Sequence, residues 1–309
     1  MSKIFRVHHG SFGHVSALEL TTELVTHAHS SANVSFWLSG APAHVLVNGT
    51  LVGHDAKKAA IIDRFVPHCV KVDSSSGAAQ SLSFYLDPDW LSRRLPLHPP
   101  RSFTHLDIAI SAPLREELWM LRDMLLDDMS DEVELDCALA AFLKHALIAS
   151  REAATADAKR DHSARDFRIR KALALMRNNM ARNLDMETVA RESGLSRPHF
   201  FSLFRDELGL TPSIFWNSLR LEEAMLQMSR SQASLTSVAS RLGFDAQCNF
   251  TRFFRQHTGV APSEYRQALT HRADAATYGT EACMPDVLLA PMPKLPPRLP
   301  EGACRNKNY

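Results

Sequence analysis

The chain has 309 residues, 45% of them hydrophobic and 22% charged. This is an ordinary globular balance, which excludes a wholly disordered, collagenous or simple coiled-coil protein, and the length suits about two domains. Five scattered cysteines without a CxxC pair argue against a disulfide framework and a thiolate zinc site. No apolar run reaches the ~18 residues of a membrane-spanning helix. The opening residues MSKIFRVHHG carry no signal-peptide core. A soluble, cytoplasmic protein without a membrane partner is expected.

The net charge of +1 hides an asymmetry. Residues 1–164 carry 15 Lys/Arg against 20 Asp/Glu, whereas residues 165–272 carry 16 against 10. Lys171 is the one lysine of that basic block, the rest being arginine. An arginine-rich segment beside an acidic one points to an anionic partner for the former.

From about residue 14 to 87 the chain reads as strands. Asn33 to Leu38 alternates, and Ser81 to Leu86 reads as a further strand. Val45–Val47 and Thr50–Val52 flank Asn48-Gly49, the signature of a tight hairpin. Short strands with turn signals suggest a barrel or sandwich. Two helices follow between about 112 and 149. Leu114, Leu118, Leu121 and Leu125 form one apolar stripe, and Leu135, Leu139, Phe142 and Ala146 form another. Ser111 is placed to cap the first, with Pro113 in its opening turn. The stripes serve either an internal core or a subunit interface. Residues 151–166 are polar and Ala-rich and read as a linker; residues 271–309 are Pro-rich and read as a disordered tail.

Residues 167–270 read as helical and contain a repeat. Phe204-Arg205, Gly209, Pro212-Ser213 and Phe215 recur fifty residues on as Phe254-Arg255, Gly259, Pro262-Ser263 and Tyr265. Upstream, Val189-Ala190 and Gly194 recur as Val238-Ala239 and Gly243, at an offset of 49. Each unit reads as a short helix, a glycine corner and a second helix, that is, a helix-turn-helix. In the first unit Asp185 and Ser196 are placed to cap the two helices, Leu195 plugs the corner, and Phe200 and Phe204 face inward. In the second, Asp245 is placed as the cap, and Phe250 and Phe254 face inward. Between the units a long helix opens at Pro212 and runs to about Arg230.

These stretches resemble the DNA-binding domain of AraC/XylS-type transcriptional regulators. The resemblance is carried by Val189-Ala190 through Gly209 and Pro212, by Arg220-Leu221-Glu222 and Ala224, and by Val238-Ala239 through Tyr265-Arg266. It implies that the second helix of each unit enters the major groove, the two reading segments about 34 Å apart. Matched residue by residue, the base-facing candidates are Pro198, Phe201 and Ser202 in the first unit. In the second they are Gln247, Cys248, Asn249, Thr251 and Arg252. Arg252 suits guanine, and Gln247 or Asn249 adenine. Arg197, Arg205 and Arg255 are assigned to phosphate. Pro198 and Phe201 offer only apolar contact, so the first unit is expected to read sequence more weakly.

The N-terminal part carries a second resemblance. His27-Ala28-His29, then Asn33, then Gly40, has the spacing of the first cupin motif, with Asn33 in the glutamate position and Thr21 where the pattern has glycine. The His-x-His spacing places both imidazoles on one face of a strand. Pro67-His68 resembles the second motif. The expected fold is therefore α+β with two domains: a cupin-like β-barrel with a helical pair, then an all-α tandem helix-turn-helix domain. The expected divisions are residues 1–110, 111–150, 151–166, 167–270 and 271–309. The resemblance implies a ligand-responsive activator, with a small-molecule effector in a barrel pocket lined by His27, His29 and His68. It further implies a homodimer formed through the helical pair, acting on double-stranded DNA with RNA polymerase as a partner. Because the cupin carboxylate is missing, no metal, no cofactor and no catalytic residue are assigned. The alternative is a metal-binding cupin sensor or enzyme fused to a DNA-binding domain, since three imidazoles suit iron, nickel, copper or zinc.

Overall fold

The computed structural model describes residues 1–47, 49–94, 107–152, 166–181 and 184–270. The expected linker, apart from its ends, the Pro-rich tail and Asn48 lie outside the described residues.

The chain begins with strands β1 (Lys3–Gly10), β2 (Gly13–Leu20), β3 (Leu24–His27), β4 (Ala32–Gly40) and β5 (Ala43–Val47). β6 (Thr50–Val52), β7 (Lys58–Ile62), β8 (His68–Val72) and β9 (Ala79–Leu86) follow, then helix α1 (Pro88–Arg94) and strand β10 (Asp107–Ala109). They form two antiparallel sheets, ordered β1-β2-β9-β4-β7-β10 and β3-β8-β5-β6. The hairpin at Gly49 pairs Val47 with Thr50, as its sequence predicts. The sheet starts earlier than the expected residue 14. β1 turns its apolar residues Ile4 and Val7, three apart, inward and leaves Phe5 exposed, because its register against β2 slips between Ile4 and Arg6, so no clean alternation marks it.

Alternation along β4, β2 and β9 has a consequence for the interior. One set of residues (Val15, Ala17, Val34, Phe36, Leu82 and Phe84) is fully buried against two helices, α2 (Ala112–Leu126) and α3 (Glu132–Glu152). The opposite set (Ser16, Asn33, Ser35, Ser81, Ser83 and Tyr85) faces a cavity between the two sheets. The polar side of these strands is thus an inner wall. Ser35 Oγ lies 3.0 Å from both Ser83 Oγ and His54 Nε2, which satisfies hydroxyls that burial would otherwise penalise.

The two helical stripes belong to this core. Ser111 Oγ accepts from Leu114 N at 3.4 Å, and Phe142 packs on Phe36 and Phe84 with ring centroids 5.1 and 6.0 Å away. Met120 and Val133 on the helices and Met129 in the turn between them are exposed.

The helical region comprises α4 (Phe167–Asn178), α5 (Met186–Glu192), α6 (Arg197–Leu208), α7 (Pro212–Arg230), α8 (Leu235–Arg241), α9 (Gln247–Thr258) and α10 (Pro262–Thr270). The sequence repeat is a structural one. Leu195 N donates to Ala190 O at 2.9 Å, and Phe244 N to Ala239 O at 3.0 Å. Gly194 and Gly243 turn the two corners at φ +76° and +72°, a conformation that costs a side-chain-bearing residue energy. Phe200, Phe204, Phe250 and Phe254 are fully buried. Two capping expectations fail. Ser196 occupies the cap position of α6 but makes no side-chain cap bond. The cap position of α9 is Ala246, not Asp245. Asp245 is the extra residue that changes the repeat offset, and its charge acts instead on the buried Arg220.

Both helix-turn-helix units pack onto the strands. Phe65, held at φ +56°, meets Phe215 of α7 at 5.4 Å. Val7 of β1 joins the core of the second unit with Leu221, Val238, Phe250 and Tyr265. Gly259 approaches β2 so closely that a Cβ there would lie 2.5 Å from Leu20 Cδ2. Ser30 N donates to Glu222 Oε1 of α7.

Candidate nucleic-acid interface and interior cavity

On α6, Arg197, Pro198, Ser202 and Arg205 are exposed and Phe201 is half-buried. The Arg197 guanidinium lies over the Phe201 ring at 5.1 Å and 3.9 Å from Glu187. Ser202 Oγ donates to the Asp206 carboxylate at 3.4 Å. The exposed face of α6 thus presents apolar atoms and an acidic neighbour.

On α9, Gln247, Cys248, Asn249, Arg252 and Arg255 are exposed, and Thr251 is half-buried. Gln247 Oε1 accepts from Thr236 Oγ1 at 2.6 Å, which ties the two helices of the unit together and orients the amide. The exposed face of α9 carries long polar groups and two guanidiniums that make no ion pair among the described residues. Along its edge runs a crevice lined by Cys248, Thr251, Arg252, Arg255 and Gln256, with Thr22 and Glu23 ahead of β3 as the opposite wall. Glu23 is ion-paired with Lys71.

Beneath the second unit, Arg220 is 9% exposed. Its Nε donates to Leu242 O at 2.9 Å, and its guanidinium sits 3.6 Å from the centre of the Phe244 ring. Burial pulls its pKa down to about 10. The resemblance includes this arginine, but sequence gave it no role; a charged residue on the buried face of a helix was the available signal.

The cavity between the sheets is closed by the second helix-turn-helix unit. Its strand walls include His14, Ser16, Asn33, His54 and Tyr85, and its far wall is formed by Met225, His257, Thr258, Val260 and Tyr265. Its volume is about 70 Å³, room for a handful of waters and below the ~300 Å³ of typical drug-sized pockets. The Tyr265 hydroxyl is buried without a hydrogen-bond partner among the described residues.

The sequence-selected histidines meet in this cavity. Ring centroids of His27 and His68 are 4.3 Å apart, those of His27 and His29 4.8 Å, and those of His29 and His68 5.2 Å. The two residues of the His-x-His pair do not share a strand face: β3 ends at His27, and His29 follows in the connection to β4. His27 Nδ1 donates to Val25 O at 2.7 Å, and His68 Nδ1 to Val66 O at 2.9 Å. Burial keeps all three neutral, His68 down to about 4. Burial also pushes the Tyr85 hydroxyl up to about 12. Asn33 donates through Nδ2 to Phe84 O at 3.1 Å. His257, at the end of α9, lies 6.4 Å from His27 between ring centroids; no spacing in the sequence announces it, because it arrives by tertiary packing.

Two arginine-bearing helices presented from tandem glycine corners define a helix-turn-helix DNA-binding protein. The helix-turn-helix domain family matches residues 189–268. The arabinose operon regulatory protein of Escherichia coli is 33% identical over 106 residues, which are 34% of this chain and 36% of that protein. The probable transcription factor PqrA of Proteus vulgaris is 31% identical over 84 residues, 27% of this chain and 69% of that protein. The chain belongs to the AraC-type transcriptional regulators. It matches only about a third of the length of the arabinose regulator. Beyond the helical region the likeness is one of fold. Fatty-acid-bound wild-type ToxT of Vibrio cholerae superposes with a TM-score of 0.52 at 13% identity, over 89% of this chain and 97% of that one. No helix among the described residues is long and apolar enough to cross a membrane.

Proposed function

We propose that the chain is a ligand-responsive, cytoplasmic transcriptional activator, without enzymatic activity, whose effector occupies the cavity between the sheets. The observation that carries this reading is the shared wall. His257, Thr258, Val260 and Tyr265 of the second helix-turn-helix unit complete a cavity otherwise built of strands. An occupant therefore interacts differently with arrangements that place this unit differently, which is the requirement for shifting a conformational equilibrium. ToxT has been crystallised with an unsaturated fatty acid; the cavity of this chain suits a smaller occupant, or a larger one with its helical wall displaced.

In this reading α6 and α9 enter the major groove. Gln247, Cys248, Asn249, Thr251 and Arg252 read bases with the weaker help of Pro198, Phe201 and Ser202. Arg197, Arg205 and Arg255 hold phosphate. Residues 1–110 sense, 111–150 dimerise through an exposed surface bearing Met120, Met129 and Val133, and 167–270 bind DNA and bring RNA polymerase to a promoter. The test is selection of binding sites by the full-length chain from random duplexes at fixed salt, because phosphate contacts make affinity salt-dependent. Two conserved blocks about one helical turn apart are expected; the absence of an enriched motif would sink the tandem reading.

A further inference from the structure

We propose that His27, His29 and His68 form a binding site for a divalent first-row transition ion, zinc foremost, held by three neutral imidazoles. All three residues are buried, and their ligating nitrogens lie within 4.8 Å of one another. A tetrahedral zinc ion with Zn–N near 2.0–2.1 Å brings its nitrogens to about 3.3 Å, so the rings need to close by less than about 1 Å each.

The hydrogen bonds prepare the rings for this. A carbonyl oxygen only accepts, so the bonds to Val25 O and Val66 O fix the proton of His27 and of His68 on Nδ1. Nε2 is then a bare lone pair, and among the described residues no hydrogen bond reaches it in either ring. His29 makes no side-chain hydrogen bond there at all, so it too offers a lone pair. Three acceptors converge with no donor bonded to them among the described residues, and a cation answers that arrangement. Anchoring the remote ring nitrogen on a backbone carbonyl is how metal-ligating histidines are oriented.

The donor set selects the ion. It contains nitrogen only, with no thiolate and no carboxylate. Asn33, in the position where the cupin pattern has glutamate, spends its amide nitrogen on Phe84 O. Such a set disfavours magnesium, calcium and manganese and suits zinc, nickel, copper or iron. The coordination positions left open face a cavity of about 70 Å³, the scale of an ion with a small co-ligand. A fourth imidazole, His257, stands beyond present reach, with Nδ1 bonded to Phe253 O at 2.7 Å.

The proposal stands on the cluster and not on the regulatory reading. The experiment takes the full-length chain, stripped with a chelator, and titrates it with Co²⁺ and then with competing Zn²⁺. One Co²⁺ per chain is expected, with the visible absorption of a low-coordinate ion, displaced by Zn²⁺ and accompanied by a rise in Tm. The double variant His27→Gln/His68→Gln should lose at least about a hundredfold in affinity, while His9→Gln and His145→Gln retain it. Should the double variant melt below the metal-free wild type, His29→Gln, which breaks no side-chain hydrogen bond, takes its place. No stoichiometric uptake, or uptake unchanged by these substitutions, would overturn the site. DNA affinity measured on the same samples bears on the regulatory reading alone.

Discussion

The two helix-turn-helix units share a skeleton and differ in what is attached to it. Each has a glycine corner, a paired phenylalanine core and a proline-opened helix behind it. The first unit presents an apolar tip, Pro198 and Phe201, with Asp206 nearby; the connection between β7 and β8 meets the helix behind it through Phe65 against Phe215. The second offers Gln247, Asn249 and Arg252, and its other side closes the cavity with His257, Thr258, Val260 and Tyr265. The two units keep one kind of interior and differ on both surfaces, so in the function proposed above sequence reading and sensing converge on the second unit.

The largest expected effect tests whether the skeletons are equivalent. Phe200→Ala and Phe250→Ala should each cost about 3–5 kcal/mol in urea unfolding of the full-length chain. A marked inequality would show that one core is the looser. Next comes the division of labour on DNA. Arg252→Ala should cost about 1–3 kcal/mol and relax base preference at one position, whereas Phe201→Ala should change the selected motif less. Binding-site selection with both variants decides it, and the reverse order would move the main reader to the first unit. Arg255→Ala should weaken all sequences alike and reduce the salt slope by about one.

A subtler asymmetry is titratable. Burial raises the pKa of Glu222, partly offset by its bond from Ser30. A carboxyl with a raised folded-state pKa contributes stability below its unfolded value of about 4.3, and that contribution is lost as pH rises through the raised value. Glu222→Gln should therefore gain on the wild type between pH 4.5 and 7.5 in denaturant melts; parallel curves would show that the carboxylate is fully compensated. The smallest effect concerns Glu23, beside Arg252 and Arg255 in the crevice along α9. Glu23→Gln removes a negative charge from the approach of phosphate and should tighten DNA binding a few-fold at low salt, fading as salt rises. Fluorescence anisotropy at two salt concentrations would measure it.

Much of this was legible in the sequence because it is local. The glycines, phenylalanines and prolines of the repeat announce its helices, and the spacing of Leu114, Leu118, Leu121 and Leu125 announces a buried stripe. Long-range relations were hidden. Ser16, Ser35 and Ser83 have the pattern of a solvent-facing side, and only the second sheet makes that side an interior. Arg220 resembles any helical arginine until Phe244 is seen beneath it. The convergence of His27, His29 and His68 was readable from motif spacing; that His257 would arrive from 189 residues beyond His68 was not, because no periodicity encodes the docking of one region on another.

Gly259 shows what this docking does to the freedom of the chain to vary. Gly194 needs a left-handed conformation but has open space around its α-carbon; Gly259 needs the same conformation, φ +82°, with Leu20 Cδ2 where a side chain would begin. Asparagine, which tolerates that conformation, should drift into the first position in a library of functional variants and be purged from the second. Of two glycines with one backbone role, one is replaceable and the other is pinned by a neighbour 239 residues upstream.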